Sequence, residues 1–331
     1  MPQVDVRGTT EENDMVDFKY LYKGLCGLAR AHQANAMAGH LGAAVLAGYF
    51  FGEEHHELDS KVFAAIEKEL DRIIRGEESF WYDQKRAGIT ITELFAPFGD
   101  EKSDEEQIST IADALSANIG KTRQSGHNVI FASLAIRALR DHPEYATPSI
   151  VAGIRKLIEQ FNGAGPGRGY YGKQRGWIIG NQAPLEPDDR FPRYDTEQAM
   201  AEAVIEQLIG SASVRRQGFG GLFHIINHAT GLANLSQYGH KDLARKGLPA
   251  HHHHVRLWRS LPDVTAELGE LERAEQDPRT PEYWNRTSSV QWSGWLTHRI
   301  KTLYGFFSLL HIIEDPEKRK KAEQNFLYLM A

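Results

Sequence analysis

Apolar residues recur along most of this chain at spacings of three and four positions, which marks one face of an α-helix. In 58–76, for example, Val62, Ile66 and Leu70 share one face and charged residues surround it. Segments with this spacing or a continuous apolar run are 20–51, 58–76, 127–140, 150–161, 196–209, 223–235, 243–258, 295–313 and 317–329. Strand-like alternation is confined to 89–92. The pattern predicts an all-α fold, with helical hairpins packed around a central cavity as a toroid or bundle and little or no β-structure.

Two long segments lack helical periodicity, and we expect them to be loops. Residues 162–193 contain a glycine-rich run over 163–172, and residues 277–293 are rich in tryptophan, proline and polar residues. The glycine-rich run lacks the ending of a phosphate-binding loop, so we interpret it as a mobile lid. We expect a polar N-terminal tail over 1–17 and a single all-helical domain over 18–331.

Charge and composition narrow the classes of partner. The 331 residues carry a net charge of −6 and no basic stripe, so we expect no nucleic-acid partner. No run of about 18 apolar residues is present, so we expect no membrane partner either. Cys26 is the single cysteine, which excludes a disulfide within the chain. Together with the lack of a signal-peptide pattern, this predicts a cytoplasmic protein, and the oligomeric state stays open.

Histidines recur near the start of apolar, helix-like segments. These histidines are His40, His127, His224 and His298. His228 follows His224 by four residues, so both imidazoles lie on one helical face and can point at one ion. If the four segments converge, they form a multi-histidine site for a divalent transition metal. If they do not, the histidines are unrelated polar residues of helical segments.

A site made only of neutral imidazoles leaves the charge of a divalent ion uncompensated. A carboxylate or another anion is therefore expected to complete it, and Glu53, Glu54 and Glu197 are candidates. The run 251–254 consists of four histidines, which point in four directions on a helix, so at most one or two of them can join the same site. We interpret this run as a polar turn or a helix start.

Three stretches resemble the questin oxidase-like family. They are 40–44, the segment 220–232 with two histidines four apart, and His298 with its following helix and the break at 315–317. The resemblance implies an all-helical body that oxidises aromatic polyketide-type compounds. In some members it implies a non-haem iron centre held by histidines and a carboxylated lysine. Carried over, the ligands are drawn from His40, His127, His224, His228 and His298, and Lys301 is a candidate for the lysine.

The leading hypothesis is a metal-dependent oxidoreductase, a monooxygenase or dioxygenase that uses O2 on a small aromatic or polyketide-like substrate. Fe(II) is the favoured ion and zinc the alternative, and the glycine-rich loop would gate access. One rival is a metal-free helical-toroid lyase, epimerase or cyclase that uses histidine and carboxylate acid–base chemistry. Another is a non-catalytic binding scaffold, which predicts wide separation of His40, His127, His224 and His298.

Overall fold

The computed structural model describes residues 15–82, 84–187, 190–285 and 294–331. Its α-helices are α1 (Lys19–Ala34), α2 (Gly39–Glu54), α3 (Ser60–Ile74), α4 (Gln84–Ala87), α5 (Ile91–Leu94), α6 (Ser109–Ser116), α7 (His127–Asp141), α8 (Pro148–Glu159), α9 (Glu197–Ser211), α10 (Gly221–Gln237), α11 (Lys241–Arg259), α12 (Thr265–Leu268), α13 (Trp295–Leu310) and α14 (Pro316–Phe326). Most of the expected tail, and the expected loop from 286 to 293, lie outside the described residues.

The fold is all-α, as the hydrophobic pattern predicts. In the described part of the chain, the one sheet is an antiparallel hairpin of β1 (Arg168–Tyr170) and β2 (Trp177–Ile179). This hairpin lies within 162–193, a segment that we expected to contain no regular structure. Strands of three residues are too short for their alternation to stand out in the sequence. The alternating stretch 89–92 instead leads into α5, whose first turn is closed by a capping box.

Helix boundaries fall close to those predicted from apolar periodicity. Thr196 accepts the backbone N–H of Ala199 at the start of α9, and Asp315 caps α14. Thr147 precedes Pro148 at the start of α8, although the Thr147 side chain makes no capping hydrogen bond. The long apolar segment 20–51 divides into α1 and α2.

Four helices form a ring at the centre of the fold. Helix α2 packs on α7, α7 on α10, α10 on α13, and α13 packs back on α2. Helices α1 and α3 cover α2 from outside, α6 covers α7, and α9 and α11 cover α10. Every residue of α2 from Gly39 to Gly52 is buried, which explains why its sequence is apolar on all sides. Among the described residues, no helix is both long and apolar enough to span a membrane.

Candidate metal centre

Each helix of the central ring contributes one histidine from its first turn. His40 and His127 are the second and first residues of α2 and α7, and His224 and His298 are the fourth residues of α10 and α13. The Nε2 atoms of these rings form a chain of close contacts. The Nε2–Nε2 distance is 2.6 Å between His40 and His127, 2.9 Å between His127 and His224, and 3.3 Å between His224 and His298. The fold therefore brings together four of the five histidines that the sequence predicts as ligands.

The outer nitrogens of three of these rings face backbone carbonyls. The pairs are His127 Nδ1 with Gln124 O, His224 Nδ1 with Gly220 O at 2.7 Å, and His298 Nδ1 with Gly294 O at 2.5 Å. Because a carbonyl only accepts, each Nδ1 carries the proton and each neutral ring keeps a lone pair on Nε2. In the pairs His127–His224 and His224–His298, Nε2 lone pairs thus face each other with no proton between them. A cation between these nitrogens would remove their repulsion.

Burial keeps the four imidazoles neutral. His40, His127 and His224 are buried, and His298 is partly exposed. Loss of hydration lowers the pKa of all four rings, and the charge of nearby Lys301 lowers each pKa further. The pKa of His224 falls to about 3. A proton shared between two rings would create a buried imidazolium, whereas the neutral rings could hold a metal ion.

The donor set fits a transition metal. Imidazole nitrogens bind such ions at about 2 Å, which places two ligand nitrogens about 3 Å apart. The three Nε2 separations span this value, from 2.6 to 3.3 Å. Three of the four, His40, His224 and His298, form the group in which one ligand nitrogen of each lies within 4.8 Å of the other two. Such ligands suit iron, copper, zinc and nickel, and they do not choose among these ions.

Lys301 lies beside the histidines in the interior. Its Nζ contacts His40 Nδ1, and the residue is only 2% exposed. No carboxylate of the described chain lies within ion-pair distance of Nζ. Burial lowers the pKa of Lys301 to about 7, although the charge of Glu78 opposes this shift. An unpaired ammonium is costly here, so this position favours an uncharged amine or an amine converted to an anion.

Two residues of the site were missed in the sequence. Trp81 stacks on His40 with 3.8 Å between ring centroids, and its Nε1 donates to Thr297 Oγ1 at 2.9 Å. Glu78 is fully buried and accepts the backbone N–H groups of Leu296 and Thr297 at 2.7 and 3.1 Å. It therefore caps the helix that carries the fourth histidine. More than 200 residues separate these partners in the sequence, so no local sequence pattern predicts the contacts.

The three glutamates considered as the anionic ligand lie elsewhere. Glu53 and Glu54 are the last residues of α2, at the opposite end from His40, and both form ion pairs with Arg137. Glu197 begins α9 and lines a different cavity together with Glu54. The carboxylate that would balance a divalent ion therefore does not come from these side chains.

His228 lies one turn deeper along α10 and belongs to a second histidine cluster. Its Nδ1 lies 3.3 Å from His254 Nδ1, and its ring centroid lies 4.9 Å from that of His251. His251 and His254 donate Nε2–H to the backbone oxygens of Ile225 and Phe219 at 3.0 and 2.8 Å. The four-histidine run therefore lies inside α11, and its interpretation as a turn or helix start was wrong. Carbonyls far away in the sequence satisfy these rings.

Comparison with known proteins finds no relative of this chain. No protein-family model, no curated protein and no solved structure matches it. The resemblance to the questin oxidase-like family therefore stays a prediction, and the functional argument depends on the geometry of the site.

Proposed function

We propose that this protein is a non-haem iron oxygenase whose ion is held by His40, His127, His224 and His298. The observation that supports this most strongly is the set of Nε2 lone pairs of His127, His224 and His298 that face one another, with His40 Nε2 2.6 Å from that of His127. Bound Fe(II) would supply the redox chemistry of O2 activation, with the oxidised substrate as the source of the remaining electrons. Iron is preferred to zinc because the resemblance points to oxidation, and zinc has no redox chemistry.

Lys301 is our candidate for the missing anionic ligand. Its amine would attack CO2, form a C–N bond and release one proton, which yields an anionic carbamate. This change would place a carboxylate beside His40, where the described chain provides none within ion-pair distance of Lys301. It would also remove the cost of an unpaired ammonium in the core.

The surrounding residues fix the orientation of the ligand rings and shield them from water. The Nδ1–H bonds to backbone carbonyls hold three rings in one tautomer and one orientation. Trp81 covers the face of His40 and keeps water away from it. His298 is the partly exposed member of the set, so the substrate would approach from its side.

The decisive experiment is anaerobic loading with Fe(II), followed by elemental analysis and EPR spectroscopy of the nitric oxide adduct. We expect one iron per chain in the wild type and none in His224→Ala. Carbon-13 NMR of protein incubated with labelled bicarbonate should show a carbamate signal that Lys301→Met lacks. Wild-type protein that retains no stoichiometric iron after loading would overturn the proposal.

One observation favours the metal-free acid–base alternative. The Lys301 amine is buried against His40, and a pKa of about 7 would let it exchange a proton at neutral pH. This alternative predicts activity that survives chelation and is lost in Lys301→Met. The scaffold alternative predicted four widely separated histidines, whereas the structure joins them through their Nε2 atoms.

A further inference from the structure

A cavity of about 440 Å³ opens beside the histidines, at the N-terminal ends of α10 and α13. Phe223 and Trp295 form part of its wall, with 6.2 Å between their ring centroids. The Phe223 ring also lies 5.8 Å from the ring of His298, the partly exposed member of the centre. One aromatic side chain therefore contacts both the cavity and the candidate metal centre.

Arg216 brings a guanidinium without an acidic partner to this cavity. It stacks over Trp258 at 4.8 Å, and its buried Nε makes no hydrogen bond. Within the described chain, no carboxylate lies at ion-pair distance from it. Burial lowers the pKa of Arg216 and the charge of Arg259 lowers it further, while Asp263 and Glu186 oppose the shift. A partly buried cation without acceptors is costly in free energy. An anion that binds here would form the ion pair that the guanidinium lacks.

The other charged groups of the cavity do not fill this role. Arg215 is already engaged, because it donates to the backbone oxygens of Gly269 and Glu270 at 3.1 and 3.0 Å. The side chains of Glu270 and Glu272 are exposed at the rim, where water and salt screen them. Ala331 also lines the cavity, and its methyl side chain offers no acceptor to Arg216.

We propose that this cavity binds an aromatic anion, a carboxylate or a phenolate, with its charged group on Arg216. The ring of the ligand would lie among Phe223, Trp258 and Trp295. A guanidinium pairs with a planar carboxylate through two parallel hydrogen bonds, and aromatic walls favour an aromatic ligand. The volume is that of an ordinary small-molecule site. As the substrate class of the oxygenase this inference rests on the proposed function, but binding itself requires no iron.

Calorimetric titration with naphthoate and with its neutral amide tests the proposal on chelator-treated, metal-free protein and on iron-loaded protein. We expect naphthoate to bind the wild type at least about tenfold more tightly than the amide, since a charge-assisted pair is lost with the amide. Arg216→Gln should weaken naphthoate binding by about ten- to hundredfold and leave amide binding unchanged. Arg216→Lys, which keeps the charge but not the paired geometry, should fall between.

Arg245→Gln, at an exposed arginine that does not line the cavity, is the matched control, and we expect its naphthoate affinity to stay within about twofold of the wild type. Equal binding of naphthoate and amide by the wild type would overturn the proposal without any variant. Full affinity in a folded Arg216→Gln protein would overturn it as well. Because the titration runs without metal, naphthoate binding in a protein that takes up no iron would refute the oxygenase and leave this inference standing.

Discussion

The Nε2 atoms of His127 and His224 lie 2.9 Å apart, although both rings donate their Nδ1–H to backbone carbonyls. Neither neutral ring has a proton to place between the two nitrogens. Burial opposes protonation of either ring, since it lowers both pKa values. Two lone pairs held at this distance in a dry interior would repel each other. This relationship, between residues 97 positions apart, is why we propose a metal ion.

Replacement of His224 and of His228 by alanine should distinguish the roles of the two histidine clusters in metal binding. Both side chains are buried on α10, so each alanine variant should lose a comparable few kcal/mol of stability. His224→Ala should also lose iron, because one ligand is gone. His228→Ala should retain about one iron per chain, because its ring faces His251 and His254. Elemental analysis after Fe(II) loading provides the measurement, and the reverse result would exchange the roles of the two residues.

Lys301→Met should leave the fold intact while it weakens metal binding. Methionine fills a similar volume without a buried charge, so the melting temperature should stay the same or rise. Loss of the anionic ligand should weaken iron binding by at least about tenfold. Competition with a fluorescent chelator measures this, and the exposed Lys68→Met is the control. Wild-type iron affinity in Lys301→Met would eliminate the lysine as a ligand.

Gly220 supports the position of His224, and Gly220→Ala should disturb that ring. Gly220 has φ of +72°, and an added Cβ would lie 2.3 Å from His224 Cγ. Gly239 has a similar φ of +89° but open space at its Cβ position. Both alanine variants should lose about 1 kcal/mol to backbone strain. Only Gly220→Ala should also lose iron, and equal iron content in both variants would contradict this role.

The metal-free protein should lose stability as the pH falls below 6.5. Burial lowers the pKa of His251 to about 3 and that of His254 to about 4, while the unfolded chain protonates near 6.5. The unfolded state therefore binds more protons in this window. Stability is complete above pH 6.5 and declines toward pH 3–4, by about 1.4 kcal/mol per histidine for each pH unit.

Urea unfolding at about pH 7.5 and about pH 5.5 measures this decline. His254→Gln removes one of the titrating groups and keeps a donor for the Phe219 carbonyl, so it should reduce the slope. His56→Gln, at an exposed position, should leave the slope unchanged. A free energy of unfolding that is independent of pH across this window would contradict the burial of neutral imidazoles.

The helices, and the four histidines that the fold brings together, could be picked out because their signals are local. Apolar spacing marked the helices, and His40 and His127 stood out because each begins an apolar helix. The role of His228 could not be settled in this way. A spacing of four puts it on the same face as His224, but one helical turn is about 5.4 Å along the axis. The site lies at the helix ends, so His228 meets α11 instead.

The remaining features depend on tertiary contacts. Trp81 and Glu78 contact residues of α13 that lie more than 200 positions away in the sequence. Arg216 is distinguished only by the hydrogen bond that its buried Nε does not make. The histidine run was misjudged because four polar residues after Pro249 suggest a break in the chain. In the structure Pro249 lies inside α11, and three of the four histidines are buried.

The ring of four helices has a consequence for how the protein is made. Neighbouring ligands are 87, 97 and 74 residues apart, and the fourth, His298, lies on the last helix of the ring. During synthesis, a nascent chain without that helix offers at most three of the four imidazoles. An ion bound by all four would join distant segments and close long loops, and this would restrict the unfolded chain. Tight retention of metal would therefore distinguish a finished protein from an interrupted one.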